Sequence, residues 1–164
     1  MLTGLPNRRA LDEHLDDEIK RSNRSKRNFC VIMMDLDDFK RVNDNYGHEV
    51  GDDVLKQVAR SLQENLRASD FIARYGGDEL TLVLSETDLN QAQVVVEKVQ
   101  NNLANLKLQL PGGRPTTLSV SGGIALYPDH AANAPGLLRA ADEALYRAKA
   151  NQGGNFQVSH NINA

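Results

Sequence analysis

Hydrophobic positions recur along the chain with two periods, one helical and one extended. Leu11, Leu15 and Ile19 stand four residues apart in the charged stretch of residues 1–27, which predicts an amphipathic helix after the turn residues Thr3-Gly4-Leu5-Pro6-Asn7. Phe29 to Met34 is apolar at every position, the pattern of a central strand covered on both faces, and it ends abruptly in Asp35-Leu36-Asp37-Asp38. Phe39 to Asp44 predicts a short helix closed by Asn45-Tyr46-Gly47, and Val50, Val54, Val58 and Leu62 mark a longer one to about Leu66. Phe71 to Ala73 and Leu80 to Leu84 read as strands of a hairpin turning at Gly76-Gly77, where glycine would supply positive φ and leave the backbone uncovered. Asp88 or Asn90 caps a helix with the stripe Ala92, Val95, Val99, Leu103 and Leu106, and Pro111-Gly112-Gly113 breaks the chain after it. From Thr116 to Tyr127, Leu118, Val120, Gly122, Ile124 and Leu126 alternate as in a long strand, whose glycines allow another backbone to approach. A last helix, from about Pro135 to Ala150, buries Leu138, Ala141, Leu145 and Ala148, and Phe156-Gln157-Val158 predicts a closing edge strand.

The order is helix, strand, helix, helix, hairpin, helix, strand, helix, strand. It predicts an α/β domain with a mixed central sheet flanked by helices. At 164 residues the chain suffices for one domain with a substantial core. Its net charge of −3 supplies no global attraction for nucleic acid or an anionic membrane, so a polyanionic ligand must be met locally. Apolar runs are far shorter than the ~20 residues a spanning helix needs, and no secretory leader pattern opens the chain. The single cysteine, Cys30, lies inside the apolar run, which excludes a disulfide framework and fits a buried core residue in a reducing, cytoplasmic setting.

Carboxylates stand where strand propensity disfavours them. Asp78 and Glu79 follow the hairpin glycines and in a regular strand would point to opposite faces, which gives each its own task. If the hairpin pairs beside the central strand, Asp35 and Asp78 meet at one sheet edge, an oxygen-rich setting suited to a hard cation such as Mg²⁺, with Mn²⁺ as the alternative. The helix start after Asp35 offers free N–H groups to a triphosphate, and Lys40 adds a mobile positive charge. Asn43 and Asp52 have the donors and acceptors to read a base edge, and Asp52, accepting from imino and amino protons, suits guanine.

Leu2-Thr3-Gly4-Leu5-Pro6-Asn7-Arg8, Asp35 with Phe39-Lys40-Arg41-Val42-Asn43-Asp44, Gly47-His48-Glu49-Val50-Gly51-Asp52, Arg74 to Leu80 and Ala144-Leu145-Tyr146-Arg147-Ala148-Lys149 together resemble the GGDEF family of diguanylate cyclases. The likeness runs from residue 2 to about residue 149, in the family's order and spacing. It implies a palm-like domain with a ferredoxin-like core that joins two GTP molecules into cyclic di-GMP and releases two pyrophosphates. Under it, Asp35, the backbone carbonyl of Leu36 and Asp78 hold the metal, and Asp78 with Glu79 helps activate the 3′-hydroxyl. Asn43 and Asp52 bind guanine, Phe39 and Lys40 flank the phosphates, and Lys149 meets another phosphate oxygen. Each 3′-hydroxyl attacks the other nucleotide, so the resemblance implies an antiparallel homodimer. Arg67-Ala68-Ser69-Asp70 fits the family's RxxD site, at which cyclic di-GMP inhibits its own synthesis through Arg67 and Asp70.

Three positions depart from the family pattern. Leu80 replaces the phenylalanine that ends the motif, no basic residue follows Lys149 in Ala150-Asn151-Gln152-Gly153-Gly154-Asn155, and the aspartate expected before Leu2 is absent. The whole of residues 1–164 is expected to be one GGDEF domain from a longer signalling protein with an upstream sensor region. His48 is expected to cap the helix start, with nucleotide contact as the alternative, Arg74 to serve the inhibitory site or pair with a local carboxylate, and Tyr75 and Tyr146 to pack. The alternative function is a non-catalytic module that binds GTP or cyclic di-GMP and signals to a partner. Asp35, Gly76, Gly77, Asp78 and Glu79 are all present, which favours the enzyme.

Overall fold

The structure, a computed structural model, describes residues 4–108, 110–112 and 118–160. Thr3 of the opening turn, Gly113 of the predicted break and the first two residues of the strand expected from Thr116 lie outside these. Ten elements follow in order: α1 (Arg8–Ser25), β1 (Phe29–Leu36), α2 (Phe39–Tyr46), α3 (His48–Gln63), β2 (Phe71–Gly76), β3 (Glu79–Leu84), α4 (Leu89–Asn105), β4 (Val120–Tyr127), α5 (Ala134–Ala150) and β5 (Phe156–Val158).

Local signals set the element ends. The Asn7 side chain accepts from the Ala10 N–H at 3.0 Å and starts α1, while Lys26, in the left-handed region, stops it. Asp88 and Gln91 form a reciprocal capping box at α4. The sheet runs β2-β3-β1-β4-β5, with β1 antiparallel to both β3 and β4, and β5 added parallel to β4. The first four strands, with α3 and α4 as connections, make the βαββαβ arrangement of a ferredoxin-like core. One face carries the cluster of Val54, Leu55, Val58, Ala92, Val96 and Leu103 from α3 and α4. The other carries Leu11, Leu15, Leu137, Ala141 and Leu145 from α1 and α5. Buried on both sides, β1 is therefore continuously apolar until Asp35. Gly123 lets α5 approach β4, since a Cβ there would collide with the Ala141 carbonyl and the Leu145 N–H, and Gly122 makes room for the Phe156 ring. Among the described residues no helix is long and apolar enough to cross a membrane.

The structure corrects three expectations. The turn residues of the hairpin are Gly77 and Asp78, and Gly76 ends β2 opposite Glu79 after a register shift beyond Arg74. Neither Gly76 nor Gly77 adopts positive φ; what they contribute is bare backbone, with nothing within 4 Å of a Cβ at either position. In α4 the fully buried position is Val96, with Val95 only partly covered. Tyr146, expected to pack, is 77% exposed.

Candidate active site

The central strand delivers its acid to the sheet edge. Asp35 pairs directly with Glu79 of β3 on one side and with Ser121 of β4 on the other. From the end of α5, Lys149 Nζ reaches Asp35 Oδ2 at 3.0 Å, while Asp35 Oδ1 is buried without a hydrogen-bond partner. The Asp78 carboxyl, in the hairpin turn, borders the same small cavity as Asp35 and acts on its charge. Burial, then Asp78, raise the Asp35 carboxyl to about 7, with Lys149 opposing. Glu79 is raised as well, by burial first and then by Asp142 and Asp78. This edge holds more negative charge than Lys149 neutralises.

Beside it opens a cleft of about 270 Å³ lined by Phe39, Lys40, Asn43, His48, Asp52, Arg74, Gly77 and Asp78. Four predicted base- and phosphate-contacting residues are thus brought together, and Asp78 borders both the cleft and Asp35. The Asp38 side chain makes no cap hydrogen bond to α2, so it leaves the first-turn N–H groups near Phe39 and Lys40 uncapped. Two contributors act here in ways not read from sequence. Arg74 donates from Nε and Nη2 to the Gly77 carbonyl, at 3.0 and 2.7 Å, which fixes the turn carrying Asp78, and it stands 4.0 Å from Asp52. Gly51 leaves the space that the Asn43 amide occupies, because a Cβ there would collide with Asn43 Oδ1 and lie 3.3 Å from the Phe39 ring. His48 is the first helical residue of α3, behind Gly47 as the N-cap, so it does not cap the helix as expected; it lines the cleft instead.

Arg67 and Asp70 lie elsewhere, engaged with each other. The guanidinium donates to both carboxylate oxygens at 3.2 and 3.0 Å, and to the Ser85 carbonyl and Thr87 Oγ1 at 2.9 and 3.0 Å. Only 3% of the Asp70 side chain is exposed.

The donors fit a hard divalent cation. Among the described residues no three His, Cys, Asp or Glu side chains gather as a metal cage. Mg²⁺ is commonly held by one or two carboxylates plus substrate phosphates. Asp35 and Asp78 fit such a set, and Asp35 Oδ1, buried without a hydrogen-bond partner, is an acceptor open to a cation.

Comparison with known proteins agrees with this geometry. The family described as "Diguanylate cyclase, GGDEF domain" matches residues 1–155. The chain is 40% identical over 148 residues to the diguanylate cyclase DgcP of Pseudomonas aeruginosa, which covers 90% of this chain and 22% of DgcP. The solved GGDEF domain of TpbB (YfiN) from Pseudomonas aeruginosa superposes with a TM-score of 0.92 at 34% identity, covering 97% of this chain and 92% of that one. The GGDEF domain of DgcB from Caulobacter crescentus, solved in complex with c-di-GMP, gives 0.85 at 27% identity, covering 96% and 93%. The chain thus spans well under half the length of the curated relatives it matches, 22% of one and 32% of another. A family match over nearly the whole chain and a palm-like cyclase fold with both acids at its edge have one conclusion: this chain belongs to the GGDEF family of diguanylate cyclases.

Proposed function

We propose that this domain condenses two GTP molecules into cyclic di-GMP with release of two pyrophosphates. The observation that carries the reading is the meeting of Asp35 and Asp78 beside a cleft lined by Phe39, Lys40, Asn43 and Asp52. Family members are nucleotide cyclases that need a divalent metal; we assign Mg²⁺ here, or Mn²⁺ in its place, with Asp35, the Leu36 carbonyl and Asp78 as ligands. Bound there, the cation would neutralise charge on the phosphates and the departing pyrophosphate. Asn43 and Asp52 hydrogen-bond guanine, the N-terminal turn of α2 at Phe39 and Lys40 receives phosphate oxygens, and Lys149 turns from Asp35 to another. Asp78, with Glu79 behind it, accepts the proton of the 3′-hydroxyl; Glu79, which burial and then Asp142 and Asp78 hold above the ordinary carboxylate range, is the stronger base for it. The 3′-oxygen then bonds to the α-phosphorus of the facing nucleotide as the bond to pyrophosphate breaks, and the step repeats with the roles exchanged.

The acidic edge and the cleft of about 270 Å³ beside it serve one nucleotide, whose 3′-hydroxyl must attack the α-phosphorus of a second. The reaction therefore takes two domains facing each other in an antiparallel homodimer. In a longer protein a sensor region would govern that encounter, and product would inhibit at Arg67 and Asp70, which must release each other to receive it. The test is chromatographic product analysis of concentrated protein with GTP and Mg²⁺, with Asp78→Ala alongside. Cyclic di-GMP from the parent alone, at a rate rising more steeply than protein concentration, supports the reading. Nucleotide bound without product would instead identify a non-catalytic binding module.

A further inference from the structure

Three acids, Asp35, Asp37 and Asp38, stand at the end of β1, and the proposed metal site uses only the first of them. Asp37 faces away from the hairpin into a set of donors drawn from two distant segments. Ser119 Oγ donates to Asp37 Oδ2 at 2.6 Å and Ser121 Oγ to Oδ1 at 2.7 Å. The Gly154 N–H donates to Asp37 Oδ2 at 2.8 Å and shares that hydrogen with Ser121 Oγ. The segment held this way takes three left-handed residues in succession, Gln152, Gly153 and Gly154, with φ of 76°, 72° and 66°. At Gly153 a Cβ would stand 3.0 Å from Asp37 Oδ1, so the carboxylate and the loop are in close contact. The loop is tied in turn to the end of α5: Gly153 N–H and Asn155 Nδ2 donate to the Ala148 carbonyl at 3.2 and 2.9 Å. Lys149 is the next residue, 3.0 Å from Asp35 and 4.0 Å from Asp37.

We propose that Asp37 is a positioning residue: it latches the 151–155 loop to the start of β4 and so fixes Lys149 over the acidic edge, where a nucleotide triphosphate is received. This rests on the nucleotide-binding reading above. Residues 150–155 contain no Lys or Arg, and Arg147 is turned to the Val158 carbonyl and His160, so the placement of Lys149 decides the cationic contact from this end of α5. Asp37 also adds a negative charge near the phosphates, and deleting it would help binding through the field while harming it through the loop. Asn and Ala variants carry the same charge and separate the two effects. An Asn at position 37 keeps an acceptor for Ser119 and Gly154 and offers an amide N–H to Ser121, whereas Ala keeps none of these contacts.

The experiment measures calorimetric binding of 3′-deoxyguanosine triphosphate with Mg²⁺, a probe without the attacking hydroxyl, together with hydrogen exchange at the Gly154 amide. Asp37→Ala is expected to bind about tenfold more weakly than Asp37→Asn, the scale of one charge-assisted contact. Gly154 should exchange faster in the Ala variant and stay protected in the Asn variant, and in a Lys149→Ala background the affinity difference should vanish. Equal affinities for the two variants, unchanged protection of Gly154, or a difference that persists without Lys149 would each overturn the proposal. Failure of the unsubstituted domain to bind the probe would defeat the nucleotide-binding reading itself, and this role with it.

Discussion

Replacing Asp35 by Asn tests the electrostatics of the acidic edge. In the folded protein the Asp35 carboxyl is raised from 3.8 to about 7, by burial and by Asp78. The folded state therefore keeps a proton that the unfolded chain releases. The neutral carboxyl's contribution to stability is complete below about pH 4 and is lost as the pH climbs to about 7. That shift corresponds to about 4 kcal/mol at about 1.4 kcal/mol per pH unit. Asn cannot ionise and escapes the cost, but it leaves Lys149 without its partner at 3.0 Å. The attraction of Lys149 is already within that shift, so allowing about half for relaxation around the partly buried edge leaves a net stabilisation of about 2 kcal/mol above pH 7. For a domain of this size that raises Tm by about 4–8 °C.

The assay is thermal unfolding at pH 5 and pH 8, in chelator and in excess Mg²⁺. In chelator the Asn variant should match the parent at pH 5 and exceed it at pH 8. With Mg²⁺ the order should reverse, because a ligand stabilises only the state that binds it, and the variant has lost a donor. An Asn variant that melts below the parent at pH 8 in chelator, or that gains as much from Mg²⁺, would refute the reasoning.

Other perturbations have equally direct readings. Gly51→Ala should displace the Asn43 amide and weaken guanine nucleotide binding by about tenfold, a 1.4 kcal/mol loss, read by calorimetry. Gly123→Ala drives a methyl into the α5 backbone and should cost about 1–3 kcal/mol or more in denaturant unfolding. Cys30, fully buried with its thiol pushed up to about 12, should resist thiol reagents at pH 8 in the native protein and react on unfolding. Arg67→Ala should relieve the product inhibition proposed for this site and also lower stability by about 1–3 kcal/mol, because it leaves the buried Asp70 carboxylate and the Ser85 carbonyl short of donors.

What could be read from the chain depended on the range of the interaction. The central strand was legible because β1 is covered by helices on both faces, and six apolar residues in a row state that directly. The meeting of Asp35 with the hairpin was legible because an apolar run that stops at an acid and a turn that carries one come to the same sheet edge once the hairpin pairs beside the central strand. The turn itself was misread by one residue: the register shift beyond Arg74 comes from how β2 sits on β3, and local glycine preference carries no trace of it. Gly51 sits inside a recognisable motif, yet its effect on Asn43 appears only when α2 folds back on α3. The roles of Arg74 and Asp37 were hidden for the same reason, since a carbonyl in a turn and two serines more than eighty residues downstream are not specified by neighbours in sequence.

The arrangement also explains why the fixed charges are spread over three segments instead of one. A cation site built from adjacent carboxylates in a single loop could exist before the sheet forms. Here Asp35 comes from β1, Asp78 from the β2–β3 turn and the opposing ammonium from the end of α5, each held by its own latch: strand pairing, Arg74 and Asp37. Loosening any one latch should change the spacing between fixed charges before it unfolds the domain. Metal affinity and triphosphate affinity are therefore expected to respond to Arg74 and Asp37 at substitutions that leave Tm nearly unchanged. A set of such variants in which affinity and Tm always fall together would show that the latches serve only the fold.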